Sequence, residues 1–160
     1  MNELAKNCAR SDIVTDMSKF DAAQQQLEGA IHNLFLGNWA CAVTLACAAE
    51  GMLPSLGDDT DLFSIGKRLG ISDHGMTKEE IVTMFNDLRD WLKHPTPQKP
   101  QFYQMHQWHA VEAIIRAYSR LCAHQAPFKA DEVLSENTFI FEQWYRQNYA
   151  ELIETNDDIQ

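Results

Sequence analysis

An arginine and a histidine lie close together where a predicted helix ends. Residues 89–95 read RDWLKHP, so four residues separate Arg89 from His94. Because proline has no backbone N–H and disfavours helix in the residue before it, we expect the helix to stop at His94. An imidazole exchanges protons near neutral pH, and a guanidinium holds a phosphate through its fork of N–H donors. The pair therefore has the side chains that are needed to cut RNA.

Two observations leave the chemistry of this segment open. Basic residues are favoured in any last helical turn because they complement the helix dipole, and Arg89, Lys93 and His94 satisfy that rule without a reaction. On an ideal helix, five positions place Arg89 and His94 roughly 140° apart. The two side chains therefore converge only if the helix end unwinds or a second subunit completes the site. Asp90 and His94, four positions apart, do share a face.

Length and charge bound the class of protein. The 160 residues fit one domain, which we place at residues 17–155, between a polar lead at 1–16 and an acidic tail at 156–160. No stretch approaches the ~20 apolar residues of a membrane span, and the first residues lack an apolar signal core. We therefore expect a cytoplasmic protein that does not contact a membrane. The formal net charge of −10 argues against broad capture of nucleic acid, although a small local site can still be positive.

The hydrophobic pattern predicts an all-α protein, an up-and-down bundle of about five or six helices. Apolar residues recur at helical spacing almost throughout, and no run alternates as a strand does. The best-marked start is at Thr77, where Glu80 completes a capping-box pattern. A helix that follows an Asn38 cap is apolar nearly all round, so we expect it to be the central one. The predicted helices cover residues 17–36, 39–53, 61–69, 77–94, 102–123 and 136–153, with turns at 70–75 and 95–100.

The remaining chemistry-bearing residues have competing interpretations. His106, His109 and Glu112 recur at helical spacings of three and could hold a metal, but we favour an outer helix face with Trp108 pointing inward. A further interpretation is that His106 or His109 supports a site near His94. We predict no cofactor. The four cysteines are scattered, three of them in apolar helical segments, which is typical of small buried, reduced residues: Cys8, Cys41, Cys47 and Cys122.

A carboxylate and four tryptophans stand out in otherwise apolar helices. Glu50 is either buried and paired with a cation such as Arg89 or Arg68, or solvated near its helix end. The tryptophans could stack on bases, but single tryptophans on separate helices are more often core residues, which is what we expect here: Trp39, Trp91, Trp108 and Trp144.

Two helical segments together show a family pattern. Residues 40–50 read ACAVTLACAAE, a small-residue helix, and residues 86–94 read NDLRDWLKH. These segments resemble the central helix and the later, signature-bearing helix of HEPN domains (higher eukaryotes and prokaryotes nucleotide-binding). The family signature is an arginine, four to six intervening residues and a histidine, commonly with a polar residue directly after the arginine, a place that Asp90 fills. The resemblance covers about residues 17–125 and includes the order of the helices.

The resemblance implies a dimerising helical bundle in which two signatures face each other across a cleft. In active members of the family, that cleft is a metal-independent endoribonuclease. His94 would be the acid or base in attack of a ribose 2′-hydroxyl on its own phosphate, Arg89 would stabilise the charge that develops, and Asp90 would orient one of them. Lys93 and Lys99 are the candidate substrate-binding residues.

The sequence therefore supports two functional predictions. The first is a toxin-like endoribonuclease, acting on RNA as a homodimer and held in check by a companion antitoxin protein. The second is a non-catalytic module of the same fold that binds a nucleotide or a partner protein, because members of the family without cleavage activity exist.

Overall fold

The protein is an all-α helical bundle, as the hydrophobic pattern predicts. The computed structural model describes residues 16–57, 61–94, 97–125 and 135–149, which form six helices and no strand. In chain order these are α1 Lys19–Phe35, α2 Trp39–Met52, α3 Leu62–His74, α4 Lys78–Lys93, α5 Gln107–Gln125 and α6 Glu136–Asn148. Within these residues, no helix is both long and apolar enough to cross a bilayer. The predicted lead at 1–16 and tail at 156–160 lie outside the described residues, except for Asp16.

The main core forms where α1, α2 and α5 meet. Alanines on α2 and α5 let the helix backbones approach closely, and α1 supplies larger side chains that fill the space between them. Gly29 on α1 shows how tight this packing is, because a Cβ at that position would lie 3.2 Å from Leu45 Cδ1 on α2. The fully buried members include Leu27, Ile31, Ala42, Ala46, Val111, Ile114 and Ala117. The small-residue helix α2 packs against both α1 and α5, which agrees with the central position that the sequence predicts.

The α3–α4 hairpin differs from the prediction at its turn. The sequence suggested a turn at residues 70–75, but α3 continues to His74 and ends at Gly75, which adopts the left-handed conformation with φ 63°. Gly70 is inside the helix, and α4 approaches it closely. A Cβ at residue 70 would lie 2.7 Å from Ile81 Cδ1, so this glycine serves helix packing and not a turn.

The helix ends follow the predicted capping pattern in part. Thr77 and Glu80 form the expected capping box, with the Glu80 backbone N–H donating to Thr77 Oγ1 at 3.2 Å. Asn38 precedes α2 as predicted but makes no side-chain cap. The helix α5 begins at Gln107 and not at residue 102, because the preceding segment is extended against α4. The helix α6 begins at Glu136 as predicted and ends at Asn148, before the predicted residue 153.

A buried arginine joins three helices on the side of the core that faces the hairpin. Arg116 on α5 donates to Glu50 Oε2 on α2 at 2.7 Å, to Glu112 Oε1 at 2.9 Å and to the Phe85 carbonyl on α4 at 3.0 Å. Its side chain is only 4% exposed. Burial alone lowers the pKa of Arg116, but the two carboxylates outweigh burial and raise it, so the guanidinium stays charged. Glu50 is therefore buried and paired, with Arg116 and not with the suggested Arg89 or Arg68.

A second arginine fixes the start of α3. Arg120 Nη2 donates to Asp61 Oδ1 at 3.1 Å, and Asp61 also caps α3 by accepting the Ser64 N–H at 3.0 Å. Burial raises the pKa of Asp61, but the bonds from Arg120 and Ser64 outweigh it, and the net pKa lies below the ordinary value. Arg120 further donates to the Glu50 carbonyl, so this pair of arginines ties the end of α2 to the hairpin.

Several side chains lie elsewhere than expected. Cys47 is buried, Cys122 is half-buried and Cys41 is exposed, so the prediction of buried thiols is wrong for Cys41; Cys8 lies outside the described residues. Trp39, Trp91 and Trp144 pack against the core as expected. Trp108 was expected to point inward but is 40% exposed. Its ring contacts that of Tyr149, the C-cap residue of α6, at 5.3 Å.

The buried pair predicts a large stability difference between two isosteric substitutions. Glu50→Gln leaves Arg116 without its closest buried counter-charge, so we expect the free energy of unfolding to fall by about 3 kcal/mol. The matched control is Glu142→Gln, which removes an exposed pair with Arg146 and should cost less than about 0.5 kcal/mol. Urea unfolding of both variants at neutral pH measures the difference. Equal, small changes would show that the Glu50 contact does not hold the helices together.

Candidate functional site

Arg89 lies at a cleft between α2, α4 and α5. The cleft has a volume of about 460 Å³. Arg89 is on the last turns of α4, one of two arginines at the cleft, and Arg116 is the other. The lining combines apolar, aromatic and charged side chains: Val43, Cys47, Met84, Phe85, Leu88, Arg89, Tyr103, Trp108, His109, Glu112, Ala113 and Arg116. One predicted site residue therefore faces a cavity of ligand size.

Asp90 binds Arg89 directly. The Arg89 Nε donates to Asp90 Oδ1 at 2.9 Å, and Nη2 lies 2.8 Å from the same oxygen. Both side chains are about one third exposed, so solvent screens the pair. A guanidinium has five N–H donors in a planar fork, and this contact uses one edge of it. Asp90 thus orients Arg89 and leaves other donors for a ligand.

His94 lies outside this cleft. It follows α4 as its C-terminal cap residue, with extended backbone at φ −123°, and its N–H donates to the Asp90 carbonyl at 3.0 Å. The ring is exposed, and no described residue makes a hydrogen bond or an ion pair with it. Within one chain, the structure brings Arg89 and Asp90 together and leaves His94 apart, as the angle between their helix positions suggests.

The two lysines predicted to bind substrate have different surroundings. Lys93 is exposed at the end of α4. Lys99 binds α4 instead of facing the cleft, since its Nζ lies 2.7 Å from Asp87 Oδ1 and 3.0 Å from the Asp87 carbonyl. The hydrogen bond from Lys99 lowers the pKa of Asp87, although partial burial opposes the shift. Lys99 therefore fastens the segment at 97–106 to α4.

Aromatic rings also join the segment at 97–106 to α4, and this chain of ring contacts extends to the cleft. Trp91 Nε1 donates to the Pro100 carbonyl at 2.7 Å, and the Trp91 and Tyr103 ring centroids are 5.4 Å apart. Tyr103 in turn contacts the His109 ring edge-on at 6.1 Å. Of these rings, Tyr103 and His109 line the cleft, so part of its lining is aromatic surface on which a base can stack.

The first turns of α5 were expected to form an outer face, and this expectation is wrong for two of their residues. His106 is exposed, but His109 and Glu112 are half-buried and line the cleft. Because the extended segment folds over the start of α5, this face is covered instead of solvated. Within the described residues, no three histidine, cysteine or acidic side chains are grouped so as to hold a metal ion. His109 also lies at the cleft of Arg89 and not beside His94.

Sequence reasoning missed Arg116 and Arg120. The signal was present, because Glu112, Arg116 and Arg120 recur every four residues along an otherwise apolar helix. A charged stripe at this spacing normally indicates a solvated face, and only the position of Glu50 shows that it is buried. Cys47 beside Arg116 is not a thiolate nucleophile, because burial raises the pKa of its thiol.

Comparisons with known proteins do not assign this site. Neither models of protein families, nor curated proteins, nor solved structures give a match to this chain. The functional argument therefore depends on the geometry of the cleft and on the chemistry of its residues.

The Asp87 contact predicts how the extended segment responds to pH. Because its folded pKa lies below the ordinary value near 3.9, the contact is fully present above about pH 4 and is lost as the pH falls through the folded pKa. Asp87→Asn should remove it at pH 7. The indole ¹H–¹⁵N resonance of Trp91, which reports the bond to Pro100, should therefore move at pH 7 in the variant and only below about pH 4 in the wild type.

The matched control is Glu79→Gln, an exposed acid in the first turn of the same helix. At every pH it should leave the Trp91 resonance at its wild-type position. A wild-type resonance that moves between pH 6 and 8, or one that Asp87→Asn leaves in place, would contradict this assignment.

Proposed function

We propose that this chain is a HEPN-like module that binds a phosphate of a nucleotide or RNA in the Arg89 cleft. The observation that carries the proposal is that Arg89 reaches a cavity of about 460 Å³ whose lining also includes the aromatic rings of Tyr103 and Trp108. A guanidinium is the protein group best suited to phosphate, because its planar donors match the phosphate oxygens. Resemblance to the family and cleft geometry thus support the same ligand class.

The size and lining of the cleft suit a single nucleotide unit. Ligand cavities run from about 300 to 1,000 Å³ and combine apolar surface with a few polar groups. Tyr103 and Trp108 offer ring faces for a base, while Arg89 offers donors for its phosphate. Glu112 accepts from Arg116 at 2.9 Å and makes no bond to Arg89, so it does not occupy the donors of Arg89.

The acidic composition is consistent with such a site. A net charge of −10 repels long polyanions at a distance, so broad contact along a duplex is disfavoured. A site that consists of one guanidinium beside aromatic rings can bind a ligand that carries a single phosphate. The module therefore selects a nucleotide or an unpaired RNA base, and its affinity depends weakly on salt because few counterions are released.

Binding to two probes tests this proposal. Adenosine monophosphate and a short fluorescent single-stranded RNA represent the free nucleotide and the polymer, and titration calorimetry and anisotropy measure their affinities. Arg89→Ala should weaken binding about tenfold or more, since a hydrogen bond to a charged group contributes about 1.5–3 kcal/mol. The control Arg146→Ala removes an exposed arginine on α6 and should leave the affinity unchanged.

The two probes also separate the sources of the phosphate. Binding of the monophosphate alone assigns the cleft to free nucleotides, and tighter binding of RNA assigns it to the polymer. Failure of the wild type to bind either probe, or equal affinity in Arg89→Ala, would refute the proposal.

A second candidate is the metal-independent endoribonuclease, which one observation favours. The His94 ring is exposed beyond the end of α4, without a hydrogen bond to any described residue, where a second copy of the chain could reach it. In a homodimer, His94 would exchange the proton, Arg89 would hold the phosphate and Asp90 would keep Arg89 in place. A companion antitoxin protein would then cover the same helix end.

This candidate predicts cleavage of RNA in the presence of EDTA, leaving cyclic phosphate ends. His94→Ala should abolish the cleavage and leave binding of the monophosphate intact, because His94 does not line the cleft. Light scattering should show a dimer. Binding without cleavage by the wild type would leave the non-catalytic module as the function.

A further inference from the structure

The side chain of His109 caps the helix on which it lies. The backbone N–H of His106, the residue before α5, donates to His109 Nδ1 at 2.9 Å. This contact satisfies one of the donors that every helix start leaves without a partner, in the way that a glutamate three residues into a helix does in a capping box. The ring of His109 is thereby fixed by its Nδ1 atom.

This contact determines where the neutral ring carries its proton. The His106 carbonyl also lies 3.2 Å from Nδ1, so donation from Nδ1 to that oxygen is the alternative. That oxygen already accepts the His109 backbone N–H at 3.1 Å, and a proton on Nδ1 would face the His106 N–H at 2.9 Å. The hydrogen-bond network therefore assigns Nδ1 as the acceptor and places the proton on Nε2.

We propose that His109 is a second phosphate-binding residue of the Arg89 cleft, donating from Nε2–H to an oxygen of the ligand. The inference rests on the proposed function, and it adds a residue that the HEPN signature does not contain. His109 lines the cleft together with Arg89. The hydrogen bonds of its ring involve Nδ1, and no described residue accepts one from Nε2. The ligand class is a phosphate with at least two accessible oxygens, one for the guanidinium and one for the imidazole.

The position of His109 on α5 favours the same ligand. It lies in the first turn of a 19-residue helix, where the backbone dipole attracts negative charge. The fixed Nε2–H donor adds a directed hydrogen bond at this position. Since Nδ1 is occupied by the cap, His109 binds the ligand and does not remove its protons.

Two substitutions test the distal nitrogen atom of the ring. Asparagine places an amide oxygen near the position of Nδ1, so His109→Asn retains the cap and loses the distal donor. Glutamine places an amide N–H near the position of Nε2, and its amide oxygen can accept from the N-cap N–H as in a capping box, so His109→Gln retains both the donor and the cap. We expect His109→Asn to weaken binding of adenosine monophosphate about tenfold with little change in Tm. We expect His109→Gln to bind within about twofold of wild type, with little change in Tm.

The control is His32→Asn, an exposed histidine on α1, which should change neither quantity. A long-range ¹H–¹⁵N spectrum of the histidine side chains gives a measurement that needs no ligand, and His109 should show an unprotonated Nδ1 and a protonated Nε2. A protonated Nδ1 in the neutral ring would overturn the inference.

The binding results distinguish this inference from the proposed function. Binding that Arg89→Ala weakens and His109→Asn does not would overturn the role of His109 alone. Equal losses in both His109 variants would attribute the effect to the start of α5 and would also overturn it. No binding by the wild type would overturn the proposed function and the role of His109 with it.

Discussion

The buried guanidinium of Arg116 is the contact on which the arrangement of this protein depends. It binds Glu50 on α2, Glu112 on its own helix and a carbonyl of α4, and its charge lies over the Phe63 and Phe85 rings at 5.6 and 5.3 Å. The main core draws side chains from α1, α2, α5 and α6, and Leu88 from α4, but none from the described part of α3. The hairpin is therefore attached through charges and aromatic faces, which are directional, more than through apolar surface.

The attachment of the hairpin also fixes the walls of the cleft. The helix α4 carries Arg89, and its distance from α2 and α5 is fixed by the Arg116 contacts on one side and by Leu88 on the other. On the opposite edge, the bonds of Lys99 and Trp91 hold the extended segment and its tyrosine in place. A cleft that is bounded by hydrogen bonds on two sides is preformed, so less binding free energy is lost in ordering it.

The fold could be predicted from the sequence where local chemistry decides it. The apolar stripe of α1, the small residues of α2 and the Thr77–Glu80 box act over a few residues, and the predicted helices lie close to the observed ones. The prediction failed where a contact between residues distant in the sequence determines the structure. Gly70 was predicted to lie in a turn because the residue that requires a glycine there, Ile81, lies on another helix. The start of α5 was misplaced because Asp87 holds the extended segment that precedes it.

The candidate site was likewise predictable only where residues close in the sequence determine it. Arg89 and Asp90 are neighbours, and their pairing follows from adjacency, whereas the partner of Glu50 lies 66 positions away. His109 was assigned to a solvated face because no local pattern reports that the extended segment covers it. The separation of Arg89 from His94 is also local, since five positions on a helix direct the two side chains roughly 140° apart.

The most direct test of the account is a ¹H–¹⁵N titration of the labelled protein with adenosine monophosphate, including the arginine side-chain resonances. The account predicts saturable shifts of Arg89 Nε–H, of the backbone around Tyr103 and of the first turn of α5, with α1 and the exposed face of α6 unchanged. Shifts that are spread over the surface without saturation, or a saturable site that excludes Arg89, would contradict it.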